Sequence, residues 1–235
     1  MELRDRGLSG YVVGISGGLD SAVSASLAVA SVGCDAVLGV LMPYKTSSET
    51  SVSDAMALVH RLGLGHRYVD ISPMIDSYFS TIDETNRLRA GNKMARERMA
   101  VLFDIAYETN RLVLGTGNRT ELCLGYTTWY GDAACSINPI GQLYKTEVRQ
   151  VAEILGVPPS IIAKVPTADL WRGQTDEKEI GVSYEETDRL LSRIVDKGVT
   201  SMSGLVAEGF RPKDVSRIVS LMNRNAFKRL SLIHI

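Results

Sequence analysis

Residues 12–21 read VVGISGGLDS, an apolar run that passes directly into a turn of small residues and then into a predicted helix beginning at Ser21. Gly17 and Gly18 have no Cβ, so the backbone can turn tightly there and approach a ligand closely. The first N–H groups of the next helix have no partners within that helix and point toward whatever lies before it. This junction predicts a phosphate-binding loop, which we call the phosphate loop (residues 14–21).

Asp20 is the unusual member of the phosphate loop. A carboxylate repels phosphate unless a cation lies between them, so Asp20 predicts a bound Mg²⁺. Ser16 and Ser21 add hydroxyl donors. The loop lacks the Lys-Ser/Thr ending of a Walker loop and the spacing of a dinucleotide fingerprint. A glycine-rich turn without a ligand is the simpler alternative, but turning alone does not need these three polar residues.

The composition is that of a globular protein with one substantial core, because 45% of the 235 residues are hydrophobic. We therefore expect a single domain over residues 1–235. The net charge of −1 and the pI near 6.3 give no basic surface for nucleic acid or an anionic membrane. The odd number of cysteines, 3 in all with no C-x-x-C pair, argues against a disulfide framework and favours a reducing cytoplasm.

Strand-like and helical patterns alternate in the first half of the chain and predict an α/β fold with a doubly wound, Rossmann-like parallel sheet. The strand-like runs are residues 11–15, 36–42, 67–71 and 111–115, and a helical pattern covers 53–62. Ligands of such sheets bind beyond the carboxyl ends of the strands, where the strand order reverses. If the order reverses between the first and fourth strands, the phosphate loop and the GTGN turn at residues 115–118 face one crevice.

The second half predicts a mainly helical C-terminal part, with helical patterns at residues 145–155, 184–197 and 213–223. Residues 172–183 are polar and weakly patterned, which predicts a mobile loop over the site. No run approaches about 18 apolar residues, and the charged segment 1–6 lacks the apolar core of a signal peptide.

The segment SGGLDS at residues 16–21 resembles the SGGxDS loop of the N-type ATP pyrophosphatases, which cleave ATP between its α and β phosphates and adenylate a substrate. Further segments resemble one member of that superfamily, the ammonia-dependent NAD synthetases. They are GNKMARERM (91–99), LGT (114–116), GYTTWYGD (125–132), QLYKTEVR (142–149), PTADLW (166–171) and QTDE (174–177). These matches follow the family's order from residue 12 to about residue 230.

The resemblance implies an adenine nucleotide alpha hydrolase-like fold and a cytoplasmic, homodimeric ligase that acts on neither nucleic acid nor membranes. It would amidate deamido-NAD with ammonia through an adenylated intermediate and release NAD, AMP and pyrophosphate. The resemblance places ATP at Gly14, Ile15, Ser16, Gly17, Gly18, Leu19, Asp20, Ser21, Thr116, Lys145 and Thr167. It places deamido-NAD at Asn92, Arg96, Trp129, Asp132, Phe227 and Lys228, Mg²⁺ at Asp20 and Glu121, and catalysis at Asp20, Lys145 and Asp132.

Several of these residues have a second interpretation on their own. Arg96 offers a planar fork to a carboxylate or phosphate, or belongs to a solvated helix face. Glu121 is a second carboxylate for Mg²⁺ or a surface residue. Thr167 is a hydroxyl on the released pyrophosphate or a helix cap. Lys145 opens a predicted helix, where a nearby phosphate explains a cation better than the helix dipole does.

Two positions depart from the family pattern. Trp129 stands where the family has Lys, and Phe227 stands where it has His. Trp129 either stacks on a nicotinate or adenine ring or is a core aromatic residue, and neither replacement neutralises a charge. About ten residues precede the first strand, where the family has a longer helical segment that contributes to its dimer.

Two other classes of protein share the phosphate loop. Another N-type ATP pyrophosphatase would modify tRNA or amidate a different carboxylate, and the tRNA-modifying kind needs a basic surface or catalytic cysteines, which this sequence does not show. A nucleotide-binding sensor keeps the loop and lacks an acceptor site. His60, His66 and His234 lie outside the motifs and are predicted to be surface or structural. Because no glutaminase domain is recognised, we expect free ammonia to supply the nitrogen.

Overall fold

The computed structural model describes residue 3 and residues 7–82, 86–171 and 173–229. Within these ranges the sheet consists of β1 (Gly10–Gly14), β2 (Val37–Leu41), β3 (Gly65–Tyr68) and β4 (Arg111–Leu114). The strands are parallel and follow the order β3-β2-β1-β4. The order reverses between β1 and β4, so the predicted α/β fold and its switch point are confirmed.

The third strand begins and ends earlier than predicted, at 65–68 instead of 67–71. Asp70 ends it, because its carboxylate accepts hydrogen bonds from the backbone and hydroxyl of Ser72 and so starts the next helix. Ile71 is then buried beneath that helix rather than in the sheet.

The helices of the first half are α1 (Leu19–Val32), α2 (Glu49–Leu62), α3 (Ser72–Phe79), α4 (Arg87–Glu108) and α5 (Arg119–Leu124). Side chains alternate across β1, so Val13 packs on one face of the sheet and Val12 on the other. One face is covered by α1 and α2 and the opposite face by α3 and α4. This double coverage explains why β1 is a continuous apolar run.

The helices of the second half are α6 (Lys145–Ile154), α7 (Pro159–Ile162), α8 (Asp176–Ile180), α9 (Tyr184–Leu191), α10 (Met202–Ala207) and α11 (Pro212–Arg224). A π-helical turn at Ser192–Asp196 extends α9, so the three predicted helical regions are confirmed. A separate apolar cluster joins α5, α8, α9 and α11. Among the described residues, no helix combines the length and apolar character needed to cross a bilayer.

The prediction of a mobile loop at 172–183 is wrong for the segment around α8. Ile180 is 1% and Val182 5% exposed, and both belong to the C-terminal apolar cluster. The segment is polar in sequence because Gln174 and Asp176 are buried with hydrogen-bond partners rather than exposed to solvent. Arg172 lies outside the described residues.

Candidate active site

The phosphate loop presents hydroxyl and amide groups at the start of α1. The hydroxyls of Ser16 and Ser21 lie 3.0 Å apart, and Ser21 donates to the Gly18 carbonyl at 3.0 Å. Among the described side chains, none caps the N-terminus of α1. The first amides of α1 are therefore available to an anion, as the sequence predicts.

Lys145 lies between two carboxylates beside this loop. Its Nζ is 2.5 Å from Asp20 Oδ2 and 3.7 Å from Glu121 Oε1. The lysine is 4% exposed, and burial strengthens each of these charge interactions. Lys145 is the first residue of α6, where the helix dipole disfavours a cation. The two carboxylates offset that unfavourable position.

Asn118 holds both carboxylates in place. Its side chain donates to Asp20 Oδ1 at 3.0 Å and accepts from the Glu121 backbone N–H at 3.0 Å. The Glu121 carboxylate in turn accepts from the Asn118 backbone N–H at 3.2 Å, which completes a capping box at the start of α5. Asn118 is fully buried, so these bonds fix the separation of the two acids.

The ionisation of this cluster reflects its burial. Burial and the neighbouring Asp20 carboxylate raise the pKa of Glu121 to about 8, although Lys145 opposes this shift. Burial by itself lowers the pKa of Lys145, but the Asp20 and Glu121 carboxylates raise it above its ordinary value. Lys145 is therefore always charged near neutral pH. Because the cluster contains two acidic groups and only one lysine, it can bind a further cation.

The donor set fits Mg²⁺. Asp20 and Glu121 offer hard carboxylate oxygens, and Mg²⁺ is usually held by one or two carboxylates together with water and substrate phosphates. Among the described residues, no group of three or more His, Cys, Asp or Glu side chains could hold a metal ion. A metal at Asp20 and Glu121 thus requires oxygens from the phosphates that the loop is built to bind.

A second acidic group, on α8, lies close to Lys145. Tyr184 donates to Asp176 at 3.0 Å and Tyr126 donates to Glu179 at 2.5 Å. The ring of Tyr184 also lies 5.2 Å from Lys145 Nζ. Burial raises the pKa of Asp176, while Lys145 lowers it. We call this group of side chains around α8 the α8 wall. It is polar and firmly packed, although the sequence predicted a loop in this region.

The residues predicted to bind the acceptor are joined by hydrogen bonds. Thr128 donates its hydroxyl to Asn92 at 2.9 Å and its backbone N–H to Asp132 at 2.7 Å. Lys228 donates to two backbone carbonyls of the same segment, at 2.9 Å and 2.7 Å. Burial raises the pKa of Asp132 and lowers that of Lys228. Residues from α4, from the 125–132 segment and from the C-terminal part therefore meet at one place.

Trp129, Tyr130 and Phe227 form an aromatic trio beside these residues. Trp129 stacks on Tyr130 with ring centroids 4.7 Å apart and meets Phe227 edge-on at 5.6 Å. Trp129 is 37% and Phe227 48% exposed, so the interpretation of Trp129 as a core residue is wrong. Arg96 donates to the Trp129 carbonyl at 3.2 Å and is exposed, which leaves part of its guanidinium open to solvent.

A cavity of about 930 Å³ lies at the carboxyl ends of β1, β2 and β4. Most of the predicted site residues line it, namely Gly14, Ile15, Ser16, Gly18, Leu19, Asp20, Ser21, Asn92, Thr116, Glu121, Asp132, Lys145, Thr167, Phe227 and Lys228. Of the described residues predicted to bind ligands, Gly17, Arg96 and Trp129 do not line it. Gly17 faces α2 instead, because a Cβ there would lie 2.1 Å from the Ser51 carbonyl oxygen.

Thr167 lies in an irregular segment, so its interpretation as a helix cap is wrong. Its hydroxyl accepts from the backbone N–H of Asp169 at 3.1 Å. Asp169 has a positive φ of 50°, an uncommon conformation outside glycine. This turn directs the segment across the cavity, where Thr167 is part of the lining.

The sequence-based prediction assigned no role to the cavity residues Arg98, Lys164 and Asp176, or to Asn118, which holds Asp20 beside the cavity. Asn118 could have been found, because an Asn followed three residues later by Glu is a capping-box signature. Arg98 and Asp176 lie within the family segments at 91–99 and 174–177, but their roles depend on contacts made elsewhere in the chain, and Lys164 has no local signal at all, since its partners are more than 100 residues away. Arg98, for example, donates to the Met42 carbonyl at 3.0 Å, and burial lowers its pKa.

The described histidines and the cysteines do not line the cavity. His60 and His66 are exposed and contact each other edge-on at 6.5 Å, as surface residues do, whereas His234 lies outside the described residues. The cysteines, all within the described ranges, are free thiols that do not line the cavity. Among the described residues, neither a histidine nor a cysteine lines the cavity as a candidate nucleophile.

The geometry defines a class of protein: an α/β protein with a loop suited to an anion, and with a buried lysine between two carboxylates, at the switch point of a parallel sheet. The sequence profile of a family described as NAD synthase matches residues 1–231. The chain belongs to this family.

Individual relatives agree with the family. The chain is 46% identical over 223 residues to the NH(3)-dependent NAD(+) synthetase of Fusobacterium nucleatum, covering 95% of this chain and 86% of the relative. Its identity with the Chlorobaculum parvum protein of the same name is also 46%, over 97% of this chain and 82% of that one. The tRNA-modifying alternative is not favoured by these relatives.

Solved structures share the whole fold. An NMN synthetase from Francisella tularensis is 36% identical, with a TM-score of 0.85 over 97% of this chain and 90% of that one. An NH3-dependent NAD synthetase from Campylobacter jejuni is 30% identical, with a TM-score of 0.81 over the same shares, 97% and 90%. The fold and the family are thus established together.

Proposed function

We propose that the chain amidates deamido-NAD with ammonia at the expense of ATP, through an adenylated intermediate, and releases NAD, AMP and pyrophosphate. One observation carries the proposal: Lys145 lies between Asp20 and Glu121 at the end of the phosphate loop, in the cavity. The family membership, and relatives that are NH(3)-dependent NAD(+) synthetases, support the same reaction.

The phosphate loop would hold the β and γ phosphates of ATP. The amides at the start of α1 and the hydroxyls of Ser16 and Ser21 face this position. Lys145 would neutralise the charge that develops on the departing pyrophosphate, and a buried cation does so more effectively than an exposed one. Thr116 and Thr167 line the same cavity and offer hydroxyls to the nucleotide.

Asp20 and Glu121 would hold Mg²⁺ together with phosphate oxygens. The ion supplies positive charge that lets the acceptor carboxylate approach the α phosphate. Asn118 would keep the two carboxylates at a fixed separation, so that they need to move little when the metal binds.

The acceptor would lie on the opposite side of the cavity, along α4 and the 125–132 segment. Asn92, Asp132 and Lys228 form the connected polar surface there, and Phe227 lines the cavity beside them. Arg96 and Trp129 adjoin this surface and would contact a part of the acceptor that extends beyond the cavity. The aromatic trio would contact a ring by stacking, where the family pattern has a cation.

Ammonia would attack the acyl carbon of the adenylate and expel AMP. The adenylate must be kept from water, and the packed α8 wall with the 164–171 segment encloses this part of the cavity. Protein nucleophiles are not required, because the activated acyl group and ammonia react directly.

We further propose one domain over the whole chain, a cytoplasmic location and a homodimer. The free thiols suit a reducing compartment. Apolar side chains on α3, α4 and β3 are exposed, including Tyr107 at 92% and Tyr68 at 59%. Such a surface is a candidate for the contact between two copies.

Incubation of the purified protein with MgATP, ammonium and deamido-NAD tests the reaction. NAD and AMP should form in equal amounts, and Asp20→Asn should form neither. The mononucleotide counterpart of deamido-NAD serves as a second acceptor, since one structural relative is an NMN synthetase. Amidation of the mononucleotide alone would contradict the proposed acceptor, and nucleotide binding without AMP formation would indicate a sensor.

A further inference from the structure

Lys164 lies behind the phosphate loop and uses all three donors of its ammonium group. Its Nζ lies 3.3 Å from the Gly17 carbonyl oxygen, 3.1 Å from Ser51 Oγ and 3.0 Å from Asp54 Oδ2. The lysine follows α7 and also lines the cavity. Its side chain is 23% exposed, so it is largely enclosed by these partners.

The bond to Gly17 controls the direction of one loop amide. In a trans peptide the C=O and N–H groups point in opposite directions, and no described peptide bond is cis. With the Gly17 carbonyl directed toward Lys164, the Gly18 N–H points the other way, to Ser16 Oγ at 3.2 Å. Ser16 and Gly18 both line the cavity. Lys164 therefore sets the direction of a loop amide that holds the Ser16 hydroxyl at the cavity, where a phosphate oxygen would bind.

Glycine at position 17 makes this orientation possible. Gly17 has a φ of +76°, and a Cβ there would lie 2.1 Å from the Ser51 carbonyl oxygen. The loop thus rests directly on the first turn of α2, and the ammonium group of Lys164 joins the two. Glycine residues allow a wide range of φ and ψ angles, so a hydrogen bond from outside the loop, here from Lys164, helps to hold the orientation of the Gly17–Gly18 peptide group.

Lys164 also fixes one end of the segment that carries Thr167. The other end is fixed by Asp169, whose carboxylate accepts from the backbone N–H of Ser48 at 3.1 Å. Ser48 is the N-cap of α2, and Ser51 lies in the first turn of the same helix. The phosphate loop, the start of α2 and the Thr167 segment are consequently joined around one side of the cavity.

We propose that Lys164 is a positioning residue for the pyrophosphate end of ATP. It acts by orienting the Gly17–Gly18 peptide and by holding Thr167 against the phosphate loop. Its role differs from that of Lys145, whose partners are the two acidic residues of the site. This inference rests on the proposed use of the loop for ATP, and it assigns a role to a residue outside the phosphate loop.

A simpler explanation is a structural ion pair between Lys164 and Asp54. The two side chains are 23% and 18% exposed, and Asp54 also accepts from Ser160 Oγ at 3.2 Å, so this pair can join α2 to α7 without any part in binding. A structural pair predicts a change in stability alone. A positioning role predicts weaker binding of ATP and pyrophosphate with unchanged binding of the acceptor.

Lys164→Met removes the charge at similar length and provides the test. We expect the KM for ATP and the inhibition constant of inorganic pyrophosphate to rise about tenfold, equivalent to about 1.4 kcal/mol. The KM for deamido-NAD should change less than about twofold. Lys164→Arg should restore much of the loss, because a guanidinium still donates to the Gly17 carbonyl. Lys213→Met on the exposed start of α11 is the matched control.

The outcomes separate the inference from the reaction on which it rests. Unchanged ATP and pyrophosphate constants in Lys164→Met would overturn the positioning role, as would a parallel rise in all KM values with a lowered melting temperature. Failure of Lys164→Arg to restore binding would overturn a role for the charge. If the wild type makes no NAD, calorimetric binding of MgATP and pyrophosphate still compares the variants directly.

Discussion

Lys145, Asp20 and Glu121 form a buried group in which two acids surround one base. Because burial and Asp20 raise the pKa of Glu121 to about 8, this carboxyl group holds a proton at pH 7 when no cation is bound. A metal ion must displace that proton. The affinity for Mg²⁺ is therefore linked to pH through a single residue.

Asp20→Asn should lower kcat/KM by roughly 100-fold or more, because metal-ion catalysis contributes several kcal/mol and an amide is a weaker ligand for a hard cation. Glu121→Gln should act in the same direction. Steady-state kinetics at a series of Mg²⁺ concentrations measure both effects. Glu153→Gln, on the exposed side of α6, is the control.

The pH dependence distinguishes the two acids. Below pH about 8 Glu121 is protonated, so the wild-type affinity for Mg²⁺ should rise as the pH increases toward 8 and then level off. Glu121→Gln should lose this rise. Wild-type activity in either variant, or a pH-independent affinity in the wild type, would contradict the two-carboxylate site.

Trp129 replaces a cation of the family pattern by an exposed ring in the aromatic trio. Trp129→Ala should raise the KM for deamido-NAD about tenfold, corresponding to about 1.4 kcal/mol of lost stacking, and leave the KM for ATP nearly unchanged. Trp129→Lys should be tolerated, because it restores the family residue. Ile154→Ala, on α6, is the control for loss of an exposed apolar side chain. Equal effects on both substrates would refute a contact with the acceptor.

At the scale of secondary-structure elements, Asp188 on α9 joins the beginnings of α5 and α6. Its carboxylate accepts from Thr120 Oγ1 at 2.5 Å and from the Thr146 backbone N–H at 2.8 Å. Thr120 Oγ1 accepts in turn from the Lys145 backbone N–H at 2.9 Å. The helices that carry Glu121 and Lys145 therefore share one buried acceptor in the C-terminal part.

Asp188→Asn should lower the free energy of unfolding by about 1–3 kcal/mol, because the amide has only one oxygen for two buried donors, the Thr120 hydroxyl and the Thr146 N–H, and leaves one of them unsatisfied. The kcat should fall as well, since both helix starts shift. Urea unfolding and kinetics measure the two effects, with the exposed Asp104→Asn as control. Unchanged stability would show that the hydrogen bonds to α5 and α6 contribute little.

At the scale of the whole molecule, the cavity lies where the strand order reverses, between β1 and β4. Residues from both the N-terminal and the C-terminal half of the chain line it. The cysteines do not line this cavity in the part of the chain that the structure describes. Burial raises the pKa of Cys123 and of Cys135, so both are poor nucleophiles near neutral pH. Glutamine hydrolysis by a thiol at this site is therefore not expected.

The purified protein should use ammonium and not glutamine. Neutral NH₃ is the nucleophile and most ammonium is protonated near pH 7, so turnover at fixed total ammonium should rise toward alkaline pH. Initial rates with each nitrogen donor across a pH series provide the measurement. Equal synthesis from glutamine would contradict the prediction, and a flat pH profile would mean that ammonia attack does not limit the rate.

The local features of the fold could be predicted because they depend on neighbours in sequence. The continuous apolar run around Val12 and Val13 is typical of a strand covered on both faces, and the glycines that follow it favour a turn. Helices α6, α9 and α11 begin within one residue of their predicted positions for the same reason. The prediction for the segment around α8 failed because its polar residues are buried and hydrogen-bonded by side chains of other elements, such as Tyr126, which is 53 residues from Glu179.

The sequence by itself determined the parallel α/β sheet, the phosphate loop and the family, since each is encoded in short runs such as SGGLDS. Only the tertiary structure decided how the acids and bases meet. Asp20 and Lys145 are 125 residues apart, and Lys164 reaches Gly17 across 147 residues. Such contacts follow from the packing of whole elements, which brings together side chains whose local sequence contains no trace of their partners.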